Sequence, residues 1–258
     1  MNELTKRILT ALVLLLLVWA WYFHAPTLWF DRILALLVWG ATCELVLLVR
    51  LRRPVIYMLA ALPAWLLFSI SPDILQLLLL AFAWFALFVA FSRHQQHSFA
   101  DLLAAIWLLC WLFAFAFAIS QTHGSESGQA LVIGACLAVW TADIAAYFVG
   151  RAWGKRKLCP AISPGKSIEG VLGGLLFAVP VAVLCWLQWG VLSMPAALGL
   201  AVVCVLAGVL GDLSESAVKR MVGAKDRGRW LPGHGGILDR IDAIIMAVPV
   251  IWAVWSML

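Results

Sequence analysis

Nine apolar runs, each close to the length that crosses a bilayer, take up most of this chain and leave it little choice of architecture. They cover roughly 8–23, 28–49, 54–70, 73–91, 99–119, 130–149, 168–189, 193–211 and 243–257. A hydrocarbon core about 30 Å thick and a helical rise of about 1.5 Å per residue call for roughly 20 apolar residues per crossing, fewer where polar flanks reach back to the interface. An open chain in lipid must satisfy its own backbone hydrogen bonds, so each run is predicted to be a helix. The expected fold class is therefore an all-α polytopic membrane protein with about nine transmembrane helices. With 65% hydrophobic residues, 12% charged residues and 15 Trp, the chain has the composition of a membrane protein, not of a soluble domain.

Lys6 and Arg7 before the first run give it the look of a secretory signal, but no small-x-small cleavage site follows before His24, so it is read as a spanning helix. The break between the third and fourth runs rests on Ser69 to Asp73 with Pro72, where a reentrant hairpin is the alternative. Assigning the loops alternately to two faces puts all 18 Lys and Arg residues except Arg32 on one of them. Cytoplasmic loops carry such an excess, which predicts a cytoplasmic N-terminus and a C-terminus on the opposite side. An error of one helix would scramble the segregation.

Topology alone thus accounts for the net charge of +5 and leaves no case for nucleic acid as a partner. Cysteines at 43, 110, 136, 159, 185 and 204 show no C-x-x-C spacing, and neither disulfides nor zinc are expected. Residues 1–258 read as a single integral-membrane domain. Helices one to five occupy 1–129; helices six to nine occupy 130–258 and carry the chemistry, with cytoplasmic loops at 150–167 and 212–242.

In the second of these loops, Asp212, Glu215 or Ser216, and Lys219 fall on one face of a helix continuing past Gly211. A solvated helix end with an internal Glu/Lys pair would look the same. Lys225, Arg227 and Arg229 follow, and then Pro232, Gly233, His234, Gly235 and Gly236, a run whose backbone N–H groups can approach an anion closely. A phosphate cradle and an ordinary loop tip are both consistent with that run. Asp239 and Asp242 stand three apart at the start of the last helix, on one face, where capping is the plain account. Four acids, Asp212, Glu215, Asp239 and Asp242, would repel one another at the membrane edge unless a cation intervened. Hard oxygen ligands beside phosphates point to Mg²⁺.

The first loop follows a helix that places Asp143 and Tyr147 four apart on one face within an apolar stretch, and an acid there is costly enough to suggest function. Lys155, Arg156 and Lys157 come next, then Ser163, Pro164, Gly165, Lys166, Ser167, Ile168, Glu169 and Gly170. Gly165, Lys166 and Ser167 look like the tail of a P-loop, but Pro160 stands where its earlier glycine belongs and no strand is expected before it. Glu44, in the second run, is a further buried acid without a cation near it in sequence. Hydrogen bonding to a neighbouring helix and a functional role are both open.

Residues 216–242 resemble the signature of the phosphatidate cytidylyltransferases, or CDP-diacylglycerol synthases: Ser216, Lys219 and Arg220, then Lys225 and Asp226, then Pro232, His234, Gly235, Gly236, Asp239, Arg240 and Asp242. The resemblance extends upstream to Asp143 and Tyr147 and to Ser163, Lys166, Glu169 and Gly170, and so covers the C-terminal half by motif. Ser167 and Ile168 stand where Thr and Trp are more usual, and Ile144 replaces a small residue.

The resemblance implies transfer of a cytidylyl group from CTP to phosphatidic acid with Mg²⁺ as cofactor, at an active site facing the cytoplasm of a bacterial inner membrane. It implies Asp212, Asp239 and Asp242 as metal ligands, with Asp226, Lys219 and Arg220 beside them in catalysis. Asp143, Tyr147, Ser163, Lys166, Ser216, Lys225, His234, Gly235, Gly236 and Arg240 are then the substrate-binding residues, and a homodimer is implied as the assembly. A CTP-dependent lipid kinase releasing CDP and a membrane transporter are the alternatives.

Overall fold

The computed structural model describes residues 16–49, 51, 53–91, 99–221, 223 and 236–258. Among them the helices are α1 (16–24), α2 (Thr27–Leu48), α3 (Pro54–Phe68), α4 (Ile74–Phe91), α5 (Phe99–His123), α6 (Glu126–Trp153), α7 (Ile168–Gln188), α8 (Met194–Met221), α9 (Leu238–Ile241) and α10 (Ile244–Trp255). Two strands, β1 (Lys157–Cys159) and β2 (Ser163–Ser167), lie between α6 and α7. The all-α class read from the sequence is therefore present, with a hairpin added where only a loop was expected.

Among the described residues α5, α6, α7 and α8 are long and apolar enough to cross a membrane, whereas α3, α4 and α10 are apolar but shorter. The 22-residue α2 has the length but carries Asp31, Arg32 and Glu44. A second departure concerns the end of the chain. Asp239 and Asp242 do not open one continuous helix: α9 is a single turn, the chain bends at 242–243, and α10 starts at Ile244. The Asp242 Oδ1 accepts the N–H of Ala243 at 2.8 Å, and a side chain that takes up a local amide in this way competes with helix formation.

Contacts divide the chain into two compact units, one of residues up to 106 with 226–239, the other of 107–225 with 240–258. In the first, Pro54 starts α3 at a position where its missing N–H costs nothing. The indole N–H of Trp39 donates to the Met58 carbonyl at 3.0 Å and that of Trp65 to Thr42 Oγ1 at 3.1 Å, tying α2 to α3. Tyr57 meets Trp84 edge to face with ring centroids 5.8 Å apart, tying α3 to α4.

The second unit is organised by small residues repeated every fourth position on two helices. Gly134, Ala138, Ala142, Ala146, Gly150 and Gly154 line one stripe of α6, and Gly170, Gly174, Ala178 and Ala182 one stripe of α7. Rows at this spacing let two helices interdigitate at close range, by dispersion and not by the hydrophobic effect, which is absent between apolar surfaces in lipid. A Cβ on Gly170 would come within 2.9 Å of the Ala146 carbonyl oxygen, and one on Gly174 within 3.1 Å of the Ala142 carbonyl oxygen. At the far end Trp186 packs on Gly134 and donates its indole N–H to the Leu131 carbonyl at 3.1 Å.

Helix α8 buries Ala197, Ala201, Cys204, Gly208, Gly211, Glu215 and Val218, a three-and-four spacing that runs past the apolar part of the helix. Gly208 sits 3.1 Å, counted from a built Cβ, from a methyl of Val139 on α6. A Cβ on Gly211 would collide with the Asp242 carbonyl, so glycine here is what allows the bend at 242–243 to lie against α8.

Candidate active site

The second unit contains a cavity of about 670 Å³ bounded by α6, the hairpin, α7 and α8. Its walls are made partly by what is missing, since Gly150, Gly154, Gly170 and Gly174 line it without side chains. Into that space the polar residues Asp143, Tyr147, Arg151, Lys157, Ser163, Lys166 and Asp212 contribute. The α6 residues among them fall at 143, 147 and 151, one helical face, and Arg151 donates from Nη1 to the Tyr147 hydroxyl at 3.1 Å.

The hairpin is built to present Lys166. Lys157 pairs with Ser167 and Cys159 with Ser163, so one residue inside β1 faces three, Pro164 to Lys166, inside β2, and the ladder is irregular there. Pro164 has no N–H to give a ladder, which makes a bulge its natural place. Pro160 opens the turn, closed by the Ile162 N–H donating to the Cys159 carbonyl at 3.2 Å. Ser167 then caps α7, accepting from the Gly170 N–H at 3.1 Å. The Glu169 carboxylate accepts from the N–H groups of Lys155 and Arg156 at 3.1 Å, tying the start of the hairpin to the first turn of α7. A strand therefore does precede Gly165, contrary to the sequence expectation, although the P-loop glycine is still Pro160.

Lys166 forms an ion pair with Asp212, both side chains about a quarter exposed. Ser216 donates from Oγ to the other Asp212 oxygen at 3.3 Å. Asp143 feels the charges of Lys166 and Asp212. Burial first, and next the charge of Asp212, push the Asp242 carboxyl up to about 6. Asp143, Asp212 and Asp242 thus act on one another, with Lys166 attracting Asp143 and Asp212 and Lys219 attracting Asp242. Among the described residues no three metal-ligating side chains are drawn together. A donor set of one or two carboxylates with room for phosphate oxygens and water is nonetheless the set Mg²⁺ commonly takes, and a cation would offset the repulsion between Asp212 and Asp242.

The remaining expected residues fall elsewhere. Glu215 is buried, not on a polar face with Asp212, and pairs with Lys219 at 3.1 Å. Arg220 donates from Nε to the Ile162 carbonyl at 3.2 Å, so it braces the hairpin turn against α8. In the first unit Asp239 accepts from the Gly236 N–H at 3.0 Å. Arg240 follows on the same single turn, α9. Lys225, Asp226, His234 and Gly235 lie outside the described residues. Arg151 and Lys157 are cavity residues that the sequence showed only as topological charges. The four-residue spacing of Arg151 from Tyr147 was the available signal for the first of them.

A cavity in which a lysine meets an aspartate beside a glycine-built wall, with an arginine and a second lysine on its lining, suits an anionic ligand in a protein of apolar helices. Residues 5–258 match the cytidylyltransferase family, and the chain belongs to it. It is 46% identical over 134 residues to the phosphatidate cytidylyltransferase of Haemophilus influenzae, covering 50% of this chain and 46% of that protein. It is similarly 41% identical over 153 residues to that of Bacillus subtilis, covering 58% and 55%, and 46% identical over 129 residues to that of Pseudomonas aeruginosa, covering 49% and 48%. The chain thus spans about half the length of the curated relatives it matches.

Proposed function

We propose that this chain transfers the cytidylyl group of CTP to phosphatidic acid, giving CDP-diacylglycerol and pyrophosphate. The observation that carries the reading is the cavity in which Lys166 pairs with Asp212, in a chain of the cytidylyltransferase family. Relatives named phosphatidate cytidylyltransferase support it.

The chemistry asks mainly for positioning and charge neutralisation. A phosphatidate oxygen attacks the α-phosphorus of CTP in line, one P–O bond forms, and the bond to the pyrophosphate leaving group breaks. Because the nucleophile is already an anion, no general base is required, and the obstacle is repulsion from the triphosphate. Lys166, with Arg151 and Lys157 on the same cavity, offsets it. Lys219, Arg220, Lys225 and Arg240 add to the positive surroundings by the family pattern. When bound, Mg²⁺ would supply further neutralisation of the phosphate oxygens; by the family pattern its one or two carboxylate donors come from among Asp212, Asp239 and Asp242, with Asp226 a further candidate in the signature. His234, Gly235 and Gly236 would belong to the phosphate-binding loop, and Asp143, Tyr147, Ser163 and Ser216 would orient the polar part of the substrates.

The same reading puts the protein in a bacterial inner membrane with about nine crossings, a cytoplasmic N-terminus, the site open to cytoplasmic CTP and the acyl chains left in the bilayer. A homodimer is the proposed assembly. The test is pyrophosphate release by the detergent-solubilised protein given CTP, Mg²⁺ and phosphatidic acid. Release that requires the lipid supports the reading, CDP release would replace it with a kinase, and neither product would overturn both.

A further inference from the structure

The first unit holds a carboxylate that the chemistry above does not use. Glu44 lies in α2 among Ala41, Thr42, Cys43, Leu45 and Val46, all buried, and is itself only 7% exposed. An ionised side chain in such surroundings is costly unless strong hydrogen bonds meet it. Its Oε2 accepts two backbone N–H groups, that of Ile237 at 2.7 Å and that of Leu238 at 3.2 Å. Bonds of this charge-assisted kind are about twice as strong as neutral ones.

The segment so held is a short one with an acid at its end. The next amide upstream, that of Gly236, donates to the Asp239 carboxylate at 3.0 Å. Three consecutive N–H groups are therefore taken up by two carboxylates, Glu44 from a distant helix and Asp239 from the segment itself. Gly236 fits only because it lacks a side chain, since a Cβ there would collide with the Glu44 carboxyl. The contact can thus be broken from either side.

We propose that Glu44 is a positioning residue for Asp239: by holding the amides of residues 237 and 238 it fixes the backbone from which the Asp239 carboxylate projects. The inference rests on the reading of Asp239 as a carboxylate that meets Mg²⁺. Glu44 acts without touching substrate, and its loss should leave a folded protein whose Asp239 is loosely held.

The test compares four variants of the full-length, detergent-solubilised chain with wild type. In Glu44→Ala and Gly236→Ala, backbone amide exchange should rise at least tenfold in the peptide covering 236–239 and little elsewhere. In Glu44→Ala, the Mg²⁺ concentration for half-maximal pyrophosphate release should also rise about tenfold, with the KM for CTP within about threefold. Glu44→Gln keeps an oxygen that can accept both amides and should rescue most of both effects. Thr42→Ala, which removes the acceptor of the Trp65 indole on the same helix, should lower thermal stability and change neither readout. A folded Glu44→Ala protein with wild-type exchange in that peptide, exchange raised throughout α2 and α3, or an unchanged Mg²⁺ response would each overturn the proposal. Should the wild type release no pyrophosphate, the functional reading fails by itself, and amide exchange still decides whether Glu44 holds the segment.

Discussion

Asp212 and Glu44 are both carboxylates in predominantly apolar helices, and the two units neutralise them differently. Asp212 meets a lysine side chain and a serine hydroxyl, groups on rotatable stems. Glu44 meets two backbone amides that cannot turn away without moving the chain. A flexible cation can be drawn off by an incoming phosphate, leaving Asp212 available to a metal, whereas fixed amides keep their carboxylate permanently engaged. The first arrangement suits chemistry and the second suits scaffolding.

The largest effect should come from the exchangeable pair. Asp212→Asn is expected to cut pyrophosphate release by about a thousandfold, roughly 4 kcal/mol of barrier. Lys166→Met should do nearly as much, through KM for CTP as well as kcat. If either variant loses less than tenfold, the comparison is broken, because Asp212 would then be scaffold too.

Packing sharpens it from the other direction. Gly170→Leu drives a large side chain into the Ala146 backbone and should cost about 3 kcal/mol, read as a fall in the temperature of thermal inactivation. The cavity shares this wall, so activity should fall with stability here, unlike in Asp212→Asn.

Asp242 offers a pH test. Its carboxyl, pushed up to about 6 from an ordinary 3.8, binds more protons folded than unfolded between those values, so it lowers stability as pH rises through that window. Asp242→Asn should therefore raise the unfolding temperature of protein freed of divalent cations at pH 7.5, by about 2 kcal/mol of stability, with the gain gone below about pH 4. An equal gain at both pH values would mean the substitution acts through packing. The smallest effect is expected for Tyr147→Phe, which removes an exposed hydrogen bond from Arg151 and should change KM by about threefold or less.

Much of the site was legible in the sequence. Asp143 with Tyr147 came from helical spacing, and both line the cavity. Lys166 and Asp212, far apart in the chain, were named separately and meet as an ion pair. Glu215 was open to two readings, a site acid on the face of Asp212 or half of an internal Glu/Lys pair, and its contact with Lys219 bears out the pair. Only the packing of α8 shows that the buried stripe passes through it. The hairpin was missed because its residues, Pro164 and Gly165 among them, avoid strands unless a bulge accommodates them. The small-residue stripes of α6 and α7 emerged only from the packing, since four-residue spacing of Gly and Ala by itself names no partner. Such a stripe could have served a dimer as easily as a neighbouring helix.

What the sequence determined by itself was the solvent and the family: long apolar runs can only be helices in lipid, and the polar residues crowded at 143–170 and 212–242 carry the family resemblance. Tertiary structure decided which charges meet. Whether a carboxylate finds a lysine, as Asp212 does, or a pair of amides, as Glu44 does, depends on contacts between residues 46 and nearly 200 positions apart in the chain, and no local spacing encodes them.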